Sequence, residues 1–139
     1  MTDAKYVLDA CALLAVLGEE SGSDKVMEIY QQAVFGEVAL VMNKINLLEV
    51  YYDLYRAYGW EQADAFFMEV RQSPIIINNE ITDEIFMEAG RLKASYKISL
   101  ADSFALAEAS TSGGILLTAD HHEFDAVEKR ENISIFWIR

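Results

Sequence analysis

The chain has 139 residues, 53% of them hydrophobic, and its 11 basic and 23 acidic residues give a formal net charge of −12. That length supports one buried core and excludes two ordinary domains, so residues 1–139 are expected to form a single domain. The charge excludes general adhesion to nucleic acid through a broad basic surface, and apolar runs as short as Ala10 to Leu17 and Ile75 to Ile77 exclude a membrane span.

No basic segment precedes a cleavable apolar stretch, so a cytoplasmic location is expected. The single cysteine, Cys11, has no internal disulfide partner and sits in an apolar stretch, where it reads as a small buried hydrophobe.

In chain order, Tyr6-Val7-Leu8 reads as a short buried strand, followed by a helix through Ala10 to Leu17 that ends near Gly18. Ser21-Gly22-Ser23-Asp24 offers N-cap candidates for a second helix running to about Phe35. Val38 to Met42 is a second strand. From Lys44 to Tyr58, Ile45, Leu48, Tyr52 and Tyr55 recur at three- and four-residue steps, which predicts a helix with that apolar face, stopped by Gly59. Another helix follows from Trp60 to Gln72, Pro74 breaks it, and Ile75 to Asn78 begins a third strand. Thr82 caps a helix to about Ser95, with Asp83 and Glu84 in its first turn. Ser99 caps the next helix, which stops at Gly113-Gly114. Ile115 to Thr118 is a fourth strand, a short helix spans about Glu123 to Lys129, and Ile133 to Trp137 is the last strand.

Short, continuously apolar strands alternating with helices predict an α/β fold whose parallel sheet is covered on both faces. Such sheets place their sites at the carboxyl ends of their strands. Four acids suit that edge. Asp9 and Asp120 lie just beyond strand ends, and Glu49 and Asp102 lie within about two turns of helix starts. All four sit in apolar surroundings without an adjacent basic residue, and an ionised carboxylate is costly there unless it is paired or bound to a cation. Each also has a plainer role taken singly: Asp102 as a first-turn acid favoured by the helix dipole, Asp120 as a helix cap.

The ordered series Val7-Leu-Asp9-Ala-Cys-Ala-Leu-Leu-Ala, Asn43 to Glu49, Ser99-Leu-Ala-Asp102-Ser-Phe-Ala-Leu-Ala and Leu117-Thr-Ala-Asp120-His-His-Glu-Phe-Asp125 resembles the PIN domain family, in particular its VapC-type toxins. The resemblance covers nearly the whole chain. It implies a three-layer α/β/α sandwich with a parallel sheet of order 3-2-1-4-5, and a ribonuclease site that uses Mg²⁺ or Mn²⁺. By position, Asp9, Glu49, Asp102 and Asp120 match the family's four acids, implied to be both catalytic and metal-holding. Thr118 matches an accessory hydroxyl residue two positions before the last of them, and Asp125 matches a further acid that ranks below the four. Where the family often has Ser or Thr directly after its first Asp, this chain has Ala10 and then Cys11, which removes a hydroxyl contact at that point.

The implied function is hydrolysis of RNA phosphodiester bonds by a Mg²⁺- or Mn²⁺-activated water, within a toxin–antitoxin pair. The implied partners are the RNA substrate, a small antitoxin whose basic segment pairs with the carboxylates, and a second copy in a homodimer. Hard divalent ions prefer oxygen ligands, which four carboxylates supply. A nuclease of the same domain outside toxin–antitoxin systems, and a noncatalytic PIN-like binding module, are the alternatives; retention of all four acids speaks against the module.

Other features carry less. Adjacent His121 and His122 have no H-x-x-x-H or Cys partner and do not read as a zinc site. The stretch Tyr51, Tyr52, Tyr55, Tyr58 and Trp60 reads as core or interface before RNA stacking, and Lys44 and Arg56 as solvated charge. Arg91, Lys93 and Lys97 gather where a helix dipole favours them. Neither Asp-x-Asp-x-Thr nor G-x-G-x-x-G is present.

Overall fold

A computed structural model describes residues 4–139 of the chain. Its elements run β1 (Ala4–Leu8), α1 (Ala10–Leu17), α2 (Ser23–Val34), β2 (Val38–Asn43), α3 (Lys44–Tyr58), α4 (Trp60–Gln72), β3 (Ile76–Asn78), α5 (Asp83–Ser95), α6 (Leu100–Ser112), β4 (Ile115–Thr118), α7 (His121–Arg130) and β5 (Ser134–Trp137). The strands form one sheet of order β3-β2-β1-β4-β5, parallel throughout. This is the α/β/α sandwich that the resemblance implied.

Successive residues of the central strands serve opposite faces, so both faces must be covered. Val7 and Leu116 join Leu106, Phe124 and Val127 on the side of α6 and α7, while Leu8 and Leu117 join Leu40, Met42, Val50 and Phe66 on the side of α1 to α4. β1 and β4 are adjacent, and their carboxyl ends open where these two cores meet. The residues after these strands are Asp9 and Asp120.

Most helix ends follow local signals. Gly59 ends α3, Gly113 ends α6 in the left-handed conformation, and Thr82 and Ser99 cap α5 and α6 through their hydroxyls. Three expectations change. The N-cap of α2 is Gly22, with no side-chain cap bond, although three hydroxyl or carboxyl residues flank it. Its φ of 93° and its approach to Ile138 explain this, since a Cβ here would lie 2.5 Å from the Ile138 carbonyl oxygen. α7 starts at His121, two residues before the expected Glu123, because Asp120 caps it. α3 buries Asn46, Leu47 and Val50, whereas Leu48, Tyr52 and Tyr55 are exposed. Contacts from α4 and α6 select this other stripe.

Gly22→Ala is expected to destabilise the fold by roughly 2 kcal/mol or more, because backbone strain adds to the clash with Ile138. Gly59→Ala, with φ of 96° but open space around it, is expected to cost less, about 1 to 2 kcal/mol. Urea melts of the two variants check the order.

Candidate metal centre

Asp9 follows β1 as the N-cap of α1, with Oδ1 accepting the Ala12 N–H at 2.8 Å. It is 1% exposed. Burial pushes this carboxyl up to about 7, helped by the negative charges of Asp102 and Asp120; the Thr118 hydroxyl and the Ala12 N–H pull the other way. Thr118 is fully buried at the end of β4, and its Oγ1 accepts the Asp120 N–H at 3.1 Å. One threonine therefore touches both strand-end acids.

Asp102 lies in the first turn of α6, where Ser99 caps the helix by accepting the Asp102 N–H at 3.1 Å. Burial raises its carboxyl to about 6, with Asp120, Glu123 and Glu49 adding negative charge and Ser99 opposing. Glu49, on the second turn of α3, is raised by burial and then by Asp53 and Asp120. The structure thus brings Asp9, Glu49, Asp102 and Asp120 to one edge of the sheet, each within the field of another.

Glu123 belongs to the same group and was not singled out in the sequence. Asp120 Oδ1 caps α7 by accepting the Glu123 N–H at 3.2 Å, which places Glu123 one turn in and beside its cap. Oxygens of Asp102, Asp120 and Glu123 lie within 4.8 Å of one another. Oε2 of Glu123 is buried without a hydrogen-bond partner among the described residues. Asp125 faces elsewhere. It pairs with His121 Nδ1 at 3.1 Å and is half exposed. The signal that finds Glu123 is the helix start: with α7 opening at His121, residues 123 and 125 point in nearly opposite directions.

His121 is held by the protein on both ring nitrogens, Nδ1 by Asp125 and Nε2 by the Arg139 carbonyl at 2.9 Å, and its ring stacks on Trp137 at 3.8 Å. Two acceptors favour the imidazolium, and the Arg139 carbonyl and then Asp125 raise its pKa. Cys11 is partly buried beside Asp9; burial and that carboxylate push its thiol up to about 11, so it remains a neutral thiol. Along α3 and at the start of α4, Tyr52, Tyr55, Tyr58 and Trp60 are exposed, not core, and Tyr51 hydrogen-bonds Asp64. Arg56 lies 5.3 Å over the Tyr52 ring. Arg91, placed at a helix end by sequence, clamps Glu88 and Glu131 at 2.7 Å each, so it ties α5 to the end of α7.

Carboxylates this close repel by on the order of 3 kcal/mol per pair at the effective dielectric of a protein surface. A divalent ion that prefers oxygen removes the repulsion, and an all-carboxylate donor set with an orphaned buried oxygen fits such an ion. Asp102, Asp120 and Glu123 would hold it directly, with Asp9 and Glu49 adjoining.

The parallel sheet of order 3-2-1-4-5, with acids converging where β1 and β4 end, defines a PIN-type domain. The family model described as PIN domain matches residues 6–130, and the chain belongs to that family. No curated protein matches it in sequence. Among solved structures it is similar to a toxin–antitoxin complex from Klebsiella pneumoniae, at 16% identity and a TM-score of 0.72 over 96% of this chain and 98% of that one. It is also similar to DNA-bound VapBC from Salmonella typhimurium, at 14% identity and a TM-score of 0.71 over 98% and 99% of the chains. A third likeness is to VapC20 of Mycobacterium tuberculosis, a toxin that cleaves the sarcin-ricin loop, at 16% identity and a TM-score of 0.64 over 88% and 94%.

Asp9 and Asp102 hold protons more tightly in the folded than in the unfolded chain. Their contribution to stability is therefore full below the ordinary value of 3.8 and is lost as pH rises through about 6 and 7. Metal-free protein is expected to lose stability as pH rises from about 4 to about 7. Asp9→Asn keeps an oxygen for the Ala12 N–H and is expected to flatten much of that loss, gaining on the order of a few kcal/mol at the upper end. Urea melts in chelator across this range measure it.

Proposed function

We propose that this protein is a metal-dependent endoribonuclease, the toxin of a toxin–antitoxin pair. The observation that carries the reading is the convergence of Asp9, Glu49, Asp102, Asp120 and Glu123 on one sheet edge, with Asp9 and Asp102 raised by burial and by the neighbouring acids. Membership of the PIN family supports it, as do the similar solved toxin–antitoxin complexes.

Mg²⁺ or Mn²⁺, when bound, supplies activation of water and neutralisation of phosphate charge. The protein's part is to hold and orient. Asp102, Asp120 and Glu123 offer oxygens from the N-termini of two helices, whose dipoles ease the crowding of negative charge. Asp9 has one oxygen tied to Ala12, and burial places its carboxyl where it holds or releases a proton near neutral pH. Thr118 fixes the spacing of Asp9 and Asp120. The core behind them, Leu8 and Leu117, excludes water from the rear of the centre. RNA, which carries its own negative charge, approaches an acidic chain only once that centre is neutralised.

The antitoxin, on this reading, is a small protein with a basic segment, since an Arg entering the acidic centre makes charge-assisted bonds to its carboxylates. Exposed Leu48, Tyr52 and Tyr55 on α3, the helix that carries Glu49, and Trp60 at the start of α4 offer apolar contact area for a protein partner.

Purified protein is expected to cleave RNA with Mg²⁺ or Mn²⁺ and to stop in chelator, and Asp102→Asn is expected to lower kcat by roughly 100-fold or more. Expression of the wild type should arrest growth, and an adjacent small open reading frame should relieve the arrest. Equal cleavage by Asp102→Asn, or cleavage that persists in chelator, would sink the assignment of this centre as a metal-dependent site; no cleavage with either ion would sink the ribonuclease reading, and growth unaffected by active protein would sink the toxin reading.

A further inference from the structure

Glu49 and Asp102 reach the centre on different helices from opposite faces of the sheet, so their separation depends on what crosses between α3 and α6. Beside the packing of Ile45 against the cluster that holds Phe104 and Ala107, two hydrogen-bonded contacts do so. Asn46, 1% exposed and one turn before Glu49, donates from Nδ2 to the carbonyl of Ala101, the residue before Asp102, at 2.9 Å. Asn43, at the head of α3, donates from Nδ2 to Oε1 of Glu108 on α6 at 3.1 Å, and Asn78 donates to the same oxygen at 2.6 Å.

The amide orientations are forced. Oδ1 of Asn43 accepts the Ile45 N–H at 2.9 Å, and Oδ1 of Asn78 accepts the Glu80 N–H at 3.1 Å, so both NH₂ groups turn to Glu108. The Ala101 carbonyl only accepts, so Asn46 presents Nδ2 to it and leaves its own Oδ1 buried without a donor among the described residues. An unmet buried acceptor weakens folding, and a leucine of similar size would avoid that cost. Asn46 is thus a poor choice for stability alone and a good one for orientation. A single contact lets two helices pivot. Two contacts about two turns apart on α6, at Ala101 and Glu108, fix how the helices cross.

We infer that Asn46, backed by the Asn43–Glu108 contact, is a positioning residue that sets the separation of Glu49 and Asp102 and thereby the affinity of the centre for a divalent cation. The inference rests on the reading of these acids as a cation site. It adds a buried amide–acid clasp to the acids themselves.

Titration calorimetry with MnCl₂ on metal-free protein tests it, alongside RNA kinetics and thermal melts of the same samples. Asn46→Leu and Glu108→Leu are expected to lower Mn²⁺ affinity about 10- to 100-fold and to lower kcat in step, with KM for RNA unchanged. Glu108→Gln keeps an acceptor oxygen for both amides and is expected to restore wild-type affinity. A folded Asn46→Leu that binds Mn²⁺ as the wild type does would overturn the inference, and so would Glu108→Gln as weak as Glu108→Leu. If Asn46→Leu does not fold, Asn46→Gln decides: it keeps the amide but moves it by one methylene, and unchanged Mn²⁺ affinity would overturn the inference. Wild-type protein that binds Mn²⁺ without cutting RNA removes the ribonuclease reading and leaves the clasp standing; wild-type protein that binds no Mn²⁺ removes both.

Discussion

Placing several carboxylates together at the edge of an apolar core is the constraint around which this molecule is arranged. Asp9 is 1% exposed, beside Leu8 and Ala10, and near Asp102 and Asp120, so its ionised form is opposed by lost solvation and by like charge. The fold supplies partial compensation from local donors: the Ala12 N–H on Asp9, the Glu123 N–H on Asp120, and the Thr118 hydroxyl between the two strand-end acids. These hydrogen bonds fix where the oxygens are. They do not cancel the charge, because the carboxyls of Asp9 and Asp102 remain well above their ordinary range.

The architecture follows from that need. A parallel sheet brings β1 and β4 side by side with both carboxyl ends at one edge, which puts Asp9 and Asp120 together although they lie far apart in sequence. Helices α3 and α6 then bring Glu49 and Asp102 in from the two sides, and α7 adds Glu123 from its first turn. Buried amides at Asn43 and Asn46 and the partly buried amide of Asn78 hold the elements that cross this edge in register. The remaining acidity of the surface favours solubility and suits a basic partner.

How much of this could be read from the chain depended on whether the signal was local. Gly59, Pro74, Thr82, Ser99 and Gly113 act on their own backbone neighbourhood, and the helix boundaries they imply match the structure closely. The face of α3 was not legible, because Ile45, Leu48, Tyr52 and Tyr55 form one helical stripe and Leu47, Val50 and Leu54 another; only packing from α4 and α6 decides between them. Glu123 was missed for a similar reason. Two acids follow Asp120 within five residues, and which one turns inward depends on α7 beginning at His121, two residues earlier than expected. Strand order came from the resemblance to a family, since alternation of apolar residues says which faces are buried but not which strands are neighbours. Asn46 gave no sequence signal, because a polar residue on a helix ordinarily reads as solvent-facing.

The central claim is that these acids are built to be neutralised by a divalent cation, and proton linkage tests it most directly. Carboxyls that keep protons near neutral pH must release them to bind a metal. Calorimetric titration of metal-free protein with Mn²⁺ near pH 6 and near pH 8 should show affinity rising on the order of tenfold for each pH unit per proton displaced, with proton release detectable as a buffer-dependent heat. Mn²⁺ affinity that is the same at both pH values, or no binding at either, would contradict the account.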